Sequence, residues 1–179
     1  MRVVSLLGAV LLSVVVAGCQ RPSPPTEPAP TAKPYANLAQ LMRAIPFPNS
    51  NIVFDTQSND PAAQKQSADA AGAVAGDYTS VYAGWQSVEN AALAISETAT
   101  LIMIPGRLCE NGLPAPVDRE DYKKFAAGLA EAGLAAYKTA QSKNLDAMVD
   151  VSGTVSDACA ACHDVYREKP QGKQRCLPN

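Results

Sequence analysis

The chain concentrates its reactive side chains in one block, Cys159-Ala160-Ala161-Cys162-His163, which holds its only histidine and two of its five cysteines. C-x-x-C-H is the spacing through which a haem is attached covalently. Each thiol adds to a haem vinyl group to form a thioether, and the adjacent imidazole reaches the iron on one face of the same ring. On a helix, His163 follows Cys159 by four residues and Cys162 by one, so two sulfurs and a ring nitrogen project toward a common patch. The expectation is one covalent haem c at Cys159, Cys162 and His163, with His163 as a metal ligand.

Two other chemistries use the same thiols. A dithiol oxidoreductase places C-x-x-C at a helix start, where the positive helix end stabilises thiolate, whereas this pair falls near a helix end. A zinc site would recruit Cys109 or Cys176, yet no second close-spaced ligand pair exists. The adjoining histidine makes haem the better reading of the block.

The other cysteines are read through the start of the chain. Arg2, a mostly apolar run from Val3 to Val16 and the small-residue exit Val16-Ala17-Gly18-Cys19 form an export signal. The run is shorter than the roughly 20 apolar residues that a spanning helix needs. Its V-A-G-C ending resembles a bacterial lipoprotein lipobox, which implies cleavage before Cys19 and lipid on that sulfur. Residues 1–18 are then a signal peptide, 19–34 a lipidated cysteine with a proline-rich tether, and 35–179 the folded domain. Six prolines between Gln20 and Pro34 keep the tether extended. The domain is expected on the periplasmic or extracellular face of a bacterial membrane. In that oxidising compartment Cys109 and Cys176 are left as a pair, so a disulfide fixing the C-terminal tail to the loop after Pro105-Gly106 is expected, with two free surface thiols as the alternative.

The elements that must position the block are all helical in pattern. Leu38, Leu41, Met42 and Ile45 recur at helical spacing before Pro46 and Pro48 interrupt, and Asn49-Ser50 can cap a continuation through Ile52, Val53 and Phe54, giving one kinked or broken helix. Ser58 to Asp77 reads as loop and helix start, with Asp60-Pro61 as a turn signal. From Tyr78, the residues Val81, Trp85, Val88, Ala92, Ile95, Ala99 and Ile102 mark a long helix that stops at Pro105-Gly106. Asp118 can cap the next, whose stripe is Tyr122, Phe125, Leu129, Ala132, Ala136 and Ala140, with Lys138 and Lys143 toward its far end. Asn144 can cap a last helix through Leu145, Met148, Ser152, Val155, Cys159, Cys162 and Tyr166, ended by Pro170 and Gly172. The fold class expected is all-α, an antiparallel four-helix bundle with a kinked first helix.

Composition agrees and excludes. With 179 residues, 47% hydrophobic and 18% charged, the chain can bury one core and is not a disordered protein. A net charge of -2, which becomes -3 when Arg2 leaves with the signal peptide, argues against nucleic acid as a partner.

The C-terminal run CAACHDVYR, with the Ala-rich LAEAGLAAYKTAQSKNLDAM before it, resembles the class II c-type cytochromes, the cytochrome c prime superfamily. LMRAIPFPNSNIVF and TLIMIPGR are similar to segments of its exported members. The resemblance covers about residues 35 to 169. It implies a haem inside a four-helix bundle, the proximal histidine on the last helix and helix one over the opposite face. Low-spin members add a methionine from helix one, while high-spin members leave that face apolar and bind nitric oxide or carbon monoxide. By that analogy Met42, just before the proline break, is the favoured distal ligand, ahead of Met103, although every methionine here can be a core packer. Arg43, Arg107 and Arg167 could neutralise haem propionates or serve as solvated surface charge. Trp85 reads as bundle core and Tyr166 as core or haem border.

The function expected is that of a lipid-anchored electron carrier with one haem, not an enzyme. Its partners are redox proteins and the membrane that holds its lipid, with a homodimer left open. The alternative is a five-coordinate haem protein that binds or sequesters nitric oxide or carbon monoxide, and a subunit of a larger respiratory or dehydrogenase complex is compatible with either.

Overall fold

The structure, a computed structural model, describes residues 32–63, 83–167 and 174–178. The signal peptide, Cys19, the tether as far as Thr31, residues 64–82 and the Pro170-Gly172 stop lie outside the described residues.

Apart from a single bridge between Leu108 and Pro114, the regular structure of the described residues is helical. The helices are α1 Leu38–Ala44, α2 Pro46–Asp55, α3 Trp85–Ile102, α4 Glu120–Ser142 and α5 Leu145–Tyr166, with a short 3-10 turn at Pro61–Ala63. They pack as a helical bundle. No helix among the described residues is long and apolar enough to cross a membrane.

Local chemistry explains the boundaries. A reciprocal capping box between Asn37 and Gln40 starts α1, and the chain breaks at Ile45 because Pro46 has no N–H to continue the ladder. Pro46 instead occupies the first turn of α2, where that N–H would be unpaired anyway. This corrects the expected cap at Asn49-Ser50. Asn49 lies inside α2, and its side-chain amide donates to Ile45 O at 2.8 Å. Asp60 accepts from Ala62 N at 2.8 Å and forms the expected turn. Gly84 begins α3 with φ 65°, a conformation that disfavours a side chain.

The start of α4 also differs from expectation. Its N-cap is Arg119, which makes no side-chain capping bond, because Asp118 falls one residue early. Asn144 does cap α5, accepting from Ala147 N at 3.0 Å.

The core runs along the inner faces of α2 to α5. Val53, Ile95, Met148 and Val155 are wholly buried, each contributing about 1.5–3 kcal/mol of burial free energy. Trp85 is buried with them. The alanine stripe of α4 lies flat against α3, with Ala126 and Gly133 added to it and Phe125 only half-buried. The approach is closest at Gly133, where a Cβ would lie 2.6 Å from Ser96 N and 3.0 Å from Ala92 O. Ser96 Oγ donates to Ala130 O at 3.0 Å across the same interface.

Neighbouring helices form a ring, α2 on α3, α3 on α4, α4 on α5, and α5 back on α2. The α2–α5 seam is the lightest of these interfaces. Gln57 spans it by donating to Ser152 Oγ at 2.8 Å.

Candidate functional site

Cys159, Cys162 and His163 stand on the last two turns of α5, all three half-buried. The cysteine pair is not oxidised; both thiols are free. Burial raises the pKa of Cys159. Burial first, then the nearby Cys159 and Asp121, pushes the Cys162 thiol up to about 11. Both are therefore neutral S–H groups at physiological pH, the opposite of what a dithiol oxidoreductase requires of its attacking sulfur.

Cys109 and Cys176 are joined as a disulfide, their Cα atoms 6.4 Å apart. That removes the sulfurs a zinc site would have borrowed. Among the described residues, no group of three or more His, Cys, Asp or Glu is arranged to hold a metal ion. Haem attachment does not need such convergence, since the sulfurs bond to carbon at the ring edge and only the imidazole meets the metal.

His163 Nδ1 lies 3.3 Å from Arg167 Nη1, one turn further on. The guanidinium is thus a charged neighbour of the imidazole ring.

The end of α5 is fixed against the start of α4. Tyr166 donates its hydroxyl to Asp121 Oδ1 at 2.8 Å and accepts from Arg119 Nε at 2.9 Å, while Arg119 and Asp121 pair at 3.0 Å. The Arg119 bond, then the Tyr166 bond, holds the Asp121 carboxyl down at about 2. The Tyr166 ring meets Tyr122 edge-on at 5.4 Å and Phe125 at 6.3 Å. Tyr122 in turn donates to Ile102 O at 3.4 Å, at the end of α3. Burial raises the Tyr122 phenol. Sequence reasoning missed this network. It read Tyr166 only as core or haem border, although a tyrosine on a buried face signals that its hydroxyl needs a partner.

The other candidates separate by position. Met42 on α1 is half-buried against the core at the same end as the block: α1 is pinned there through Leu38 N to Leu108 O at 2.8 Å and Arg43 to Glu110 at 3.3 Å. Met103, which follows α3, is also half-buried at this end. Met148 is wholly buried in the core.

Arg107, one of the arginines considered for a propionate, is turned to backbone carbonyls. It is buried, and its guanidinium donates twice to Leu101 O, at 2.8 and 3.1 Å, and once to Ala36 O at 2.6 Å. It satisfies the carbonyls where α3 ends and α1 is about to begin. Arg43 is exposed and shares Glu110 with Arg175, each at 3.3 Å, which leaves Arg167 as the guanidinium standing beside His163.

Two described cavities lie away from the block. One of about 340 Å³ sits between α2 and α3 around Asp55, Asn59 and Ser87, and another borders Glu110 and Arg175. Compared with known protein families, curated proteins and solved structures, the chain finds no match. The functional reading therefore rests on the site itself.

Proposed function

We propose that this protein is an exported, lipid-anchored c-type cytochrome that carries electrons through one covalent haem. The observation that carries the reading is the Cys159-Ala-Ala-Cys162-His163 block: two free, protonated thiols three residues apart and an adjoining imidazole, half-buried together at one end of a helical bundle. The fold proposed for it is the antiparallel four-helix bundle of the class II cytochromes, with α1 and α2 acting as one broken helix. The pairings of Tyr122 with Ile102, and of Gly133 with Ala92 and Ser96, support opposite directions for α3 and α4.

The donor set fits a haem c: Cys159 and Cys162 would hold it through thioethers and His163 would ligate the iron, which when bound supplies a one-electron Fe(II)/Fe(III) couple. The chain's own residues do the positioning. The Arg119-Asp121-Tyr166 network fixes the last turn of α5, the turn that carries His163. Cys159 contributes to the core packing, which anchors one attachment point. The light α2–α5 seam is the interface that can part at least cost, with Met42 at the same end of the bundle to close over the opposite side.

The test is direct. The chain is produced in a bacterium competent for cytochrome maturation, denatured, and examined for haem that migrates with the polypeptide. Covalent haem is expected, lost in the double variant Cys159→Ala/Cys162→Ala. Colourless protein from such a host overturns the reading.

A further inference from the structure

The described charges are unevenly shared. Residues 32–43, 103–124, 163–167 and 174–178 hold eight Lys or Arg against five Asp or Glu, whereas the rest of the described chain holds two against eight. The first group is one end of the bundle, tied together by Leu38 to Leu108, Arg43 and Arg175 to Glu110, Cys109 to Cys176, and Cys176 N to Tyr166 O. A mildly acidic molecule thus presents a basic end, and that end is the one carrying Cys159, Cys162 and His163.

Its outer surface is mixed in character. Arg43 and Arg175 are more than half exposed and share one carboxylate, so their joint charge is not cancelled. Tyr35 is 98% exposed, and Leu108 and Leu177 are each 48% exposed. Guanidinium groups beside exposed aromatic and aliphatic side chains are what an interface with anionic lipid selects, since charge draws the surface in and apolar groups enter the headgroup layer.

The chain enters the domain at this same end. Ala36 O is held by Arg107, and only twelve residues separate Cys19 from the first described residue, Ala32. Fully extended, that stretch reaches about 40 Å, so a lipid on Cys19 keeps the basic end within roughly one domain diameter of the bilayer. Tethering at such range raises the local concentration of headgroups to the point where a weak patch is occupied.

We infer that the basic end of the bundle docks on anionic phospholipid headgroups, which holds the haem-attachment block toward the membrane and favours redox partners embedded in it over freely diffusing ones. This rests on the reading of Cys19 as the lipid anchor, but its test does not need the lipid.

The haem-loaded chain from residue 20 onward, exported on a leader that is cleaved without lipidation, is sedimented with phosphatidylcholine vesicles containing about one third phosphatidylglycerol, or none. Binding to the anionic vesicles alone is expected. It should be lost near 0.5 M salt, where the screening length falls to about 4 Å. Arg43→Ala/Arg175→Ala should weaken it about fivefold or more, Arg43→Lys/Arg175→Lys should restore it, and Lys138→Ala/Lys143→Ala at the other end should leave it unchanged. Equal binding to neutral vesicles, or binding indifferent to the arginine pair, overturns the inference. Retention on immobilised polyglutamate without vesicle binding also overturns it and assigns the patch to an acidic protein. Each of these outcomes leaves the haem and lipid readings standing, because covalent haem and lipid on Cys19 are read separately by intact mass.

Discussion

Tyr166 and Asp121, separated by 45 residues in sequence, meet through a 2.8 Å hydrogen bond that locks the Cys159–His163 end of α5 onto the first turn of α4. The bond is charge-assisted and closed by Arg119, so deleting it should cost more than a neutral surface contact. Tyr166→Phe keeps the ring against Tyr122 and Phe125 and removes only the hydroxyl. The expected loss is about 1–2 kcal/mol in urea unfolding. A loss within experimental scatter would show that the network does not hold the helix end.

The same network sets an acid limit. The folded Asp121 carboxyl titrates at about 2, below its ordinary value, so its contribution to stability is complete above the unfolded pKa near 4 and disappears as pH falls toward 2. Asp121→Asn should therefore be less stable than the unaltered chain at pH 6, with the gap closing between about pH 4 and pH 2. Chemical unfolding at a series of pH values reads this directly. A gap that persists unchanged at pH 2 assigns the effect to packing instead.

Gly133 and Gly128 lie on one helix and should respond oppositely to alanine. At Gly133 the added methyl meets the α3 backbone at 2.6 Å, which cannot yield as a side-chain tip would, so the helices must separate. Overpacking of about 1–3 kcal/mol exceeds the gain of about 1 kcal/mol in helix propensity. At Gly128 no atom stands within 4 Å, and Gly128→Ala should raise the melting temperature through propensity alone. The pair of thermal melts checks the closeness of α3 and α4 without reference to any cofactor.

What the sequence made legible were faces, and what it hid were partners. The spacing of Val88, Ala92, Ile95 and Ala99, and the alanine stripe of α4, announce buried sides because burial repeats with the helical period. The C-x-x-C-H block is legible for the same local reason. Arg107 was not: a residue in a connecting loop has no period, and its burial follows from where Leu101 O and Ala36 O come to rest in the fold. The position of the α4 cap slipped by one residue because Asp118 and Arg119 are both compatible with a helix start, and only the backbone angles choose.

The Cys109–Cys176 bridge closes a loop with a sequence separation of 67 and holds the segment 174–178 against the connection after α3. Loop-closure entropy alone gives about 4 kcal/mol for such a span, and native disulfides deliver about 2–5. Cys109→Ala/Cys176→Ala should lower stability within that range, and native alkylation of the oxidised protein should modify neither sulfur. Native alkylation of both would place the two thiols free on the surface.

Met42 decides between the two functions that the haem reading allows. It is half-buried on a short helix pinned at the block's end of the bundle, and the family resemblance makes it the expected sixth ligand of a haem held by His163. Met103 is half-buried at the same end, so a single substitution does not suffice. If Met42 is the sixth ligand, the haem-loaded protein is low-spin and slow to bind carbon monoxide; Met42→Ala converts it to a high-spin, carbon monoxide-binding form, and Met103→Ala leaves the spectrum unchanged. Reversal of the two variants moves the ligand to Met103 with electron transfer intact. High-spin iron and rapid carbon monoxide binding in the unaltered protein instead make it a gas-binding haem protein, because an open coordination position serves a diatomic ligand, whereas an electron carrier keeps both axial ligands through oxidation and reduction.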